Sequence, residues 1–286
     1  MCILDCDNFT AIAADSAEWL EAQSDDIKYS CIFIDPARRG AHGEKLVTLS
    51  LCSPDVEALL PLMLRHSPRI VIKASPMLDV SLTLRRLSAI AAPLNAGVSQ
   101  IMAIGNLREC KELVIIVEQG YTDKTSEMAL TLLADGKENR WEINSTESLL
   151  PVSRSAMPES NMWLYEPYPS VMKLGKWDDL LGQWPEAHQL NPNTHLFVSP
   201  THLHDFPGEK FRIIEVSTPG SKMLKELAGK YKGANITTRN FTMTAPQLIS
   251  KLKMKQSDEI RIFGVRTGEG KGVPLLLVTT PADGVN

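Results

Sequence analysis

An unbroken apolar run that stops on an acid and a proline limits this chain more than any other feature. Residues 29–40 read Y-S-C-I-F-I-D-P-A-R-R-G. A strand covered by helices on both faces is apolar throughout rather than alternating, because neither side meets water. Residues 31–34 fit that description and are expected as a central parallel strand. Pro36 lacks an N–H and has a fixed φ, so the strand stops and Asp35 is set at its carboxyl end. Open α/β sheets bind their ligands there. Asp35, with Pro36, Ala37 and Arg38 after it, therefore stands where a ligand would bind, and Arg38 and Arg39 can pair with a phosphate as guanidinium forks. A plainer alternative stays open on these residues alone: a strand-end acid, a proline turn and a solvated arginine pair.

The neighbouring stretches set the architecture. Residues 9–14 read as a strand ending on Asp15, and Ser16 caps a helix over 17–22. Ser53-Pro54 opens a helix in which Val56, Leu59, Leu60, Met63 and Leu64 keep helical spacing. Residues 69–74 form another apolar strand, stopped by Pro76 and carrying Lys73 and Ser75. A lysine ending a buried strand is either paired, with Asp79 or Glu109, or reserved for substrate. A helix through Leu82, Leu84 and Leu87 follows, then strands over 98–104 and 113–118 joined by a polar turn. Such alternation means a parallel sheet with right-handed crossovers, and the closing hairpin adds one antiparallel strand.

Composition enters where it excludes. At 286 residues and 43% hydrophobic, the chain can bury a substantial core and is expected to hold two or three domains. No apolar run approaches the roughly 20 residues of a membrane span, and Asp5 and Asp7 interrupt any leader-like segment. Five cysteines without a C-x-x-C pair suggest reduced thiols in a cytoplasmic protein. Histidines at 42, 195, 202 and 204 read as loop residues rather than metal ligands. The net charge of −4 hides an asymmetry: residues 206–286 carry 13 Lys+Arg against 7 Asp+Glu, and residues 1–205 carry 17 against 27. A basic module on an acidic body is compatible with a nucleic-acid contact.

That module has its own pattern. Residues 119–160 are polar and read as a strand and linker, 177–181 as a helix and 193–199 as a strand. From residue 206 the order is strand, helix, strand, helix and hairpin: 211–216, 222–231, 234–239, 246–253, then 259–265 with 273–280. Lys251, Lys253, Lys255, Arg239 and Arg261 are its expected phosphate contacts.

I-D-P-A-R-R, I-K-A-S-P-M-L-D, E-C-K-E-L, L-Y-E-P and T-R-N-F, in that order, resemble a bacterial family of class I S-adenosylmethionine-dependent methyltransferases with a carboxyl-terminal THUMP-like domain. The resemblance implies the second half of a Rossmann-like sheet over 1–122 and a linker region over 123–160. A small ferredoxin-like or connecting segment over 161–205 and a THUMP-like α+β domain over 206–286 would follow. It also implies that Asp15, Ser16 and Asp35 hold S-adenosylmethionine, and that RNA, structured RNA such as tRNA above all, is the partner. Enzymes of this fold that methylate base amines end the Asp-Pro motif with an aromatic residue, where this chain has Arg38. Those that methylate C5 of uridine carry a cysteine nucleophile where it has Ala74-Ser75-Pro76, which argues against a covalent mechanism. The family's Gly-x-Gly-x-Gly cofactor turn and ribose-binding acid are not read anywhere in the chain. The expectation is a chain beginning at the approach to the third strand, incomplete as a methyltransferase and inactive alone.

Overall fold

The computed structural model describes residues 8–37, 48–143 and 155–282. They divide into two compact units, Met1–Ile104 with Lys111–Glu127, and Gly105–Cys110 with Met128–Asn286.

The first unit runs α1 (Ser16–Glu21), β1 (Ile32–Ile34), α2 (Val56–His66), β2 (Arg69–Ala74), α3 (Val80–Ala91), β3 (Ala96–Asn106) and β4 (Cys110–Gln119). Its strands lie in the order β1-β2-β4-β3. Ile32, Phe33 and Ile34 pair in parallel with Ile70, Val71 and Ile72, and β2 pairs antiparallel with β4. This is the wound sheet with an antiparallel strand that the alternation of elements implies. Each helix starts on an aspartate whose carboxylate takes the first free N–H groups: Asp15 for Ala17 and Glu18, Asp55 for Ala58, Asp79 for Leu82. The cap of α2 is thus Asp55, two residues after the expected Ser53, and Ser53-Pro54 forms a cis turn ahead of it.

Two expectations are corrected. Residues 9–14 form no strand, since a strand exists only as a paired element and no ladder engages them. β1 ends the strand order rather than lying centrally, so Phe33 is 61% exposed, whereas Ile70 and Ile72 on β2 are fully buried.

The second unit adds a hairpin, β5 (Ser126–Leu132) and β6 (Glu138–Glu142), within the stretch read as linker. There follow β7 (Trp163–Pro167), α4 (Pro169–Leu174), α5 (Trp177–Gln183), β8 (His188–Gln189), β9 (Phe197–Ser199), β10 (Gly208–Ser217), α6 (Ser221–Lys230), β11 (Asn235–Arg239), α7 (Ala245–Leu252), β12 (Arg261–Thr267) and β13 (Val273–Pro281). β7 to β13 form one seven-stranded sheet, β11-β12-β13-β10-β7-β9-β8. Alternation along the strands divides the packing. Phe211, Ile213, Phe263, Val265, Leu275 and Leu277 face a core closed by Leu190 and Leu196. Ile262, Leu276 and Val278 face the opposite way, onto Leu224 and Leu227 of α6 and Leu248 and Leu252 of α7. Thr244 and Gln247 cap α7 reciprocally. Gly208 is required where β10 meets β7, because a Cβ there would lie 2.4 Å from the Glu166 carbonyl oxygen.

Phe263 is fully buried and meets Phe211 edge-on at 5.1 Å between ring centroids. Phe263→Ala is expected to lower unfolding free energy by about 3–5 kcal/mol, read from the urea midpoint by circular dichroism.

Candidate functional site

The first unit brings Asp35, Lys73 and Glu112 together at one end of its sheet. Continuing the parallel register of β1 and β2 by one residue sets Asp35 against Lys73. The Lys73 ammonium donates to Asp35 Oδ2 at 2.8 Å and lies 3.7 Å from Glu112 Oε2 on β4. The three side chains are 43%, 29% and 28% exposed, so the cluster is solvent-reached and contributes little to stability. Its value is geometric: an ammonium orients a carboxylate at the end of a strand. Glu112 was missed in the sequence, where Asp79 and Glu109 were the partners considered. Asp79 is instead occupied with capping α3. The signal for Glu112 was present in E-C-K-E-L, but only the β2–β4 register reveals which of its acids faces Lys73.

The chain leaving Asp35 is pinned by the Ala37 N–H, which donates to the Ser53 carbonyl at 2.9 Å. Arg38, Arg39 and His42 lie outside the described residues. Ser75 accepts from the Met77 N–H at 3.2 Å, which makes it part of the turn into α3. Asp15 is exposed and spends its carboxylate on the start of α1. Ser16 lines a hollow of about 230 Å³ with Trp19, Tyr29, Phe33 and Met63, a set that includes neither Asp35 nor Lys73. The hollow is mostly apolar and no glycine turn faces it, so the described residues do not by themselves make a pocket for a charged, methionine-bearing cofactor. The chain does hold one Gly-x-Gly-x-Gly spacing, Gly268, Gly270 and Gly272, contrary to the reading that none occurs. All three have positive φ and form the β12–β13 hairpin turn, where no helix follows to receive a phosphate or carboxylate.

In the second unit Lys251, Lys253 and Lys255 are exposed at and beyond the end of α7. Arg239 and Arg261 are placed differently. Glu166 is 8% exposed on β7, and its oxygens meet Arg239 at 2.6 Å and Arg261 at 3.6 Å; Arg261 also reaches Glu209 at 3.2 Å. A buried carboxylate needs such neutralisation, so both guanidiniums are engaged by acids within the fold.

The histidines at 195, 202 and 204 do not gather around a metal position; among the described residues no group of metal-ligating side chains forms. His195 stacks on Trp177 at 5.1 Å, and His202 stacks on Trp163 at 4.1 Å. Burial pushes the His195 imidazole down from 6.5, and the charge of Arg239 adds to the shift.

Comparison with known proteins comes in two parts. Residues 163–207 match the model of a ferredoxin-like domain family and residues 208–281 that of a THUMP domain-like family. Residues 163–281 are of those two domain types. A crystal structure from Porphyromonas gingivalis, named a putative methyltransferase, superposes with a TM-score of 0.73 at 24% identity over 89% of this chain. The chain spans 60% of that structure's length. At this identity the likeness establishes the fold, which is the mixed α/β sheet followed by ferredoxin-like and THUMP-like regions. No curated protein matches the chain.

His195 yields a signed pH effect. The unfolded chain takes up this proton near pH 6.5 and the folded chain only at lower pH, so the stabilisation is complete above that value and falls away as pH drops below it. His195 has φ of +55°, a conformation asparagine tolerates. His195→Asn is expected to flatten the decline in urea midpoint between pH 7.5 and about pH 5.5.

Proposed function

We propose that the protein is an S-adenosylmethionine-dependent methyltransferase acting on RNA, tRNA being a candidate, with Asp35 receiving the acceptor group. The observation that carries this reading is the Asp35–Lys73 pair at the carboxyl end of parallel strands, in a chain that also carries a THUMP domain-like region. The likeness to the Porphyromonas gingivalis structure supports it at the level of fold.

The donor's chemistry is an electrophilic methyl group on a sulfonium; the protein's task is to hold an acceptor in line with it and keep water out. Asp35 suits the acceptor side, accepting a hydrogen bond from an N–H or O–H and taking its proton. Lys73 is the positioning residue, since it fixes one carboxylate oxygen and leaves the other for the acceptor. Arg38 and Arg39 are proposed as phosphate forks, and Lys251, Lys253 and Lys255 as further backbone contacts. Asp15 and Ser16 are proposed on the cofactor side. Because the donor's pocket is not complete among the described residues, methyl transfer is proposed of a polypeptide whose sheet also carries a glycine turn beside β1, and residues 1–286 alone are expected to bind the donor poorly.

A second reading is a noncatalytic RNA-binding protein, favoured by the mostly apolar hollow beside β1, which does not by itself make a donor pocket. One assay separates the two: transfer of labelled methyl groups to total RNA by a form carrying the glycine turn. Asp35→Ala is expected to cut transfer by about 100-fold or more, with Lys73→Met intermediate. Full activity in Asp35→Ala would remove the catalytic assignment.

For the RNA contact, replacing Lys251, Lys253 and Lys255 together by glutamine is expected to weaken tRNA binding by residues 1–286. It should also reduce the slope of log affinity against log salt by about 2–3. An unchanged slope would place the phosphate contacts elsewhere.

A further inference from the structure

Trp163 on β7 stands opposite Arg212 on β10 and opposite Ser199 on β9, so its neighbours approach from both sides of its strand. From the β10 side the Arg212 guanidinium lies over the indole, 4.8 Å from the ring centroid. From the β9 side the following loop lays His202 on the indole, 4.1 Å away and tilted 22°. His204 then meets His202 edge-on at 4.2 Å. The result is a row of a cation, an indole and two imidazoles.

This row is neither core nor a mobile fringe. Trp163 belongs to neither hydrophobic cluster of the sheet; Trp163, Arg212 and His202 are part-exposed and His204 is exposed. The loop that presents the imidazoles is held by Tyr165, whose hydroxyl donates to the Thr201 carbonyl at 3.0 Å and accepts from the Leu203 N–H at 2.8 Å. The local charge favours an anion. Lys210 precedes Arg212 by two residues and projects from the same face of β10. Glu215 is held by Lys230 and Tyr231, and Glu209 by Arg261, which leaves Asp205 as the exposed acid beside His204. A preset row of π faces next to guanidinium and ammonium groups matches one kind of ligand, a planar base carrying a phosphate.

We propose that Arg212, Trp163, His202 and His204 form a stacking platform for an unpaired nucleotide of RNA, with the base against the imidazole end and neighbouring backbone phosphates toward Arg212 and Lys210. The proposal rests on the RNA reading above and adds which nucleotides are taken: single-stranded ones, held by their bases. It does not involve the lysines beyond α7.

The test uses residues 1–286 with two probes, a single-stranded RNA octamer and an abasic octamer of the same phosphate number, each followed by fluorescence anisotropy. The base-containing octamer is expected to bind about tenfold tighter than the abasic one. His204→Ala, at an exposed position, is expected to reduce that advantage about threefold, and Trp163→Leu to abolish it. Arg212→Gln is expected to weaken both probes. Equal affinity of the two probes for the unaltered protein would overturn the platform. So would an unchanged advantage in both His204→Ala and Trp163→Leu with folding intact by circular dichroism. If either result appears while the triple lysine-to-glutamine variant loses tRNA, the RNA reading stands and the platform alone falls. If neither tRNA nor either octamer binds, both fall together.

Discussion

The parallel pairing of Ile32, Phe33 and Ile34 with Ile70, Val71 and Ile72 is the constraint on which the first unit's chemistry rests. Three apolar residues are a short strand, held against a partner whose Ile70 and Ile72 are fully buried. Because side chains alternate with period two, slipping the register by one would turn Lys73 away from Asp35. The ion pair is thus a readout of hydrophobic packing one step earlier in each strand. Its own electrostatic worth at this exposure is small.

The second unit depends on a different balance. Glu166 is buried on β7 directly opposite Glu209 of β10, and its charge would be costly there without Arg239 and Arg261. Two cations of a basic region are consumed in the fold. Exposed lysines remain at the end of α7, on α6 and in the β12–β13 turn, and Lys210 and Arg212 share one part-exposed face of β10. Under the proposals above, the α7 lysines would meet RNA phosphates, and the Arg212–Trp163–His202–His204 row would take a base together with nearby phosphate.

Much of this was legible in the residues. Residues 31–34 and 70–72 announce themselves as strands because they are continuously apolar, and from β10 onward the switching of period between two and 3.6 marks each element in turn. The hairpin of β5 and β6 was not legible, since Glu127, Thr131, Glu138 and Arg140 give it a linker's polarity. β7 was hidden by the prolines and aromatics around it. Partners were harder still. Nothing near Arg239 or Arg261 in sequence indicates Glu166, and lysine and arginine in a basic module look alike until a register decides which of them meets a buried acid. The stacking row was invisible for the same reason, because Trp163, His202 and Arg212 come from three separate stretches that only the β9-β7-β10 pairing joins.

The boundary between the two matched families falls between Pro207 and Gly208, yet β10 is bonded to β7 on one edge and to β13 on the other. The seam is a continuous ladder, and Gly208 lets the two backbones close to contact distance across it. Separating the modules would strip a ten-residue strand of half its backbone partners and leave a long, sticky margin ready to recruit another chain. What sequence families divide into two is, for hydrogen bonding, a single continuous slab.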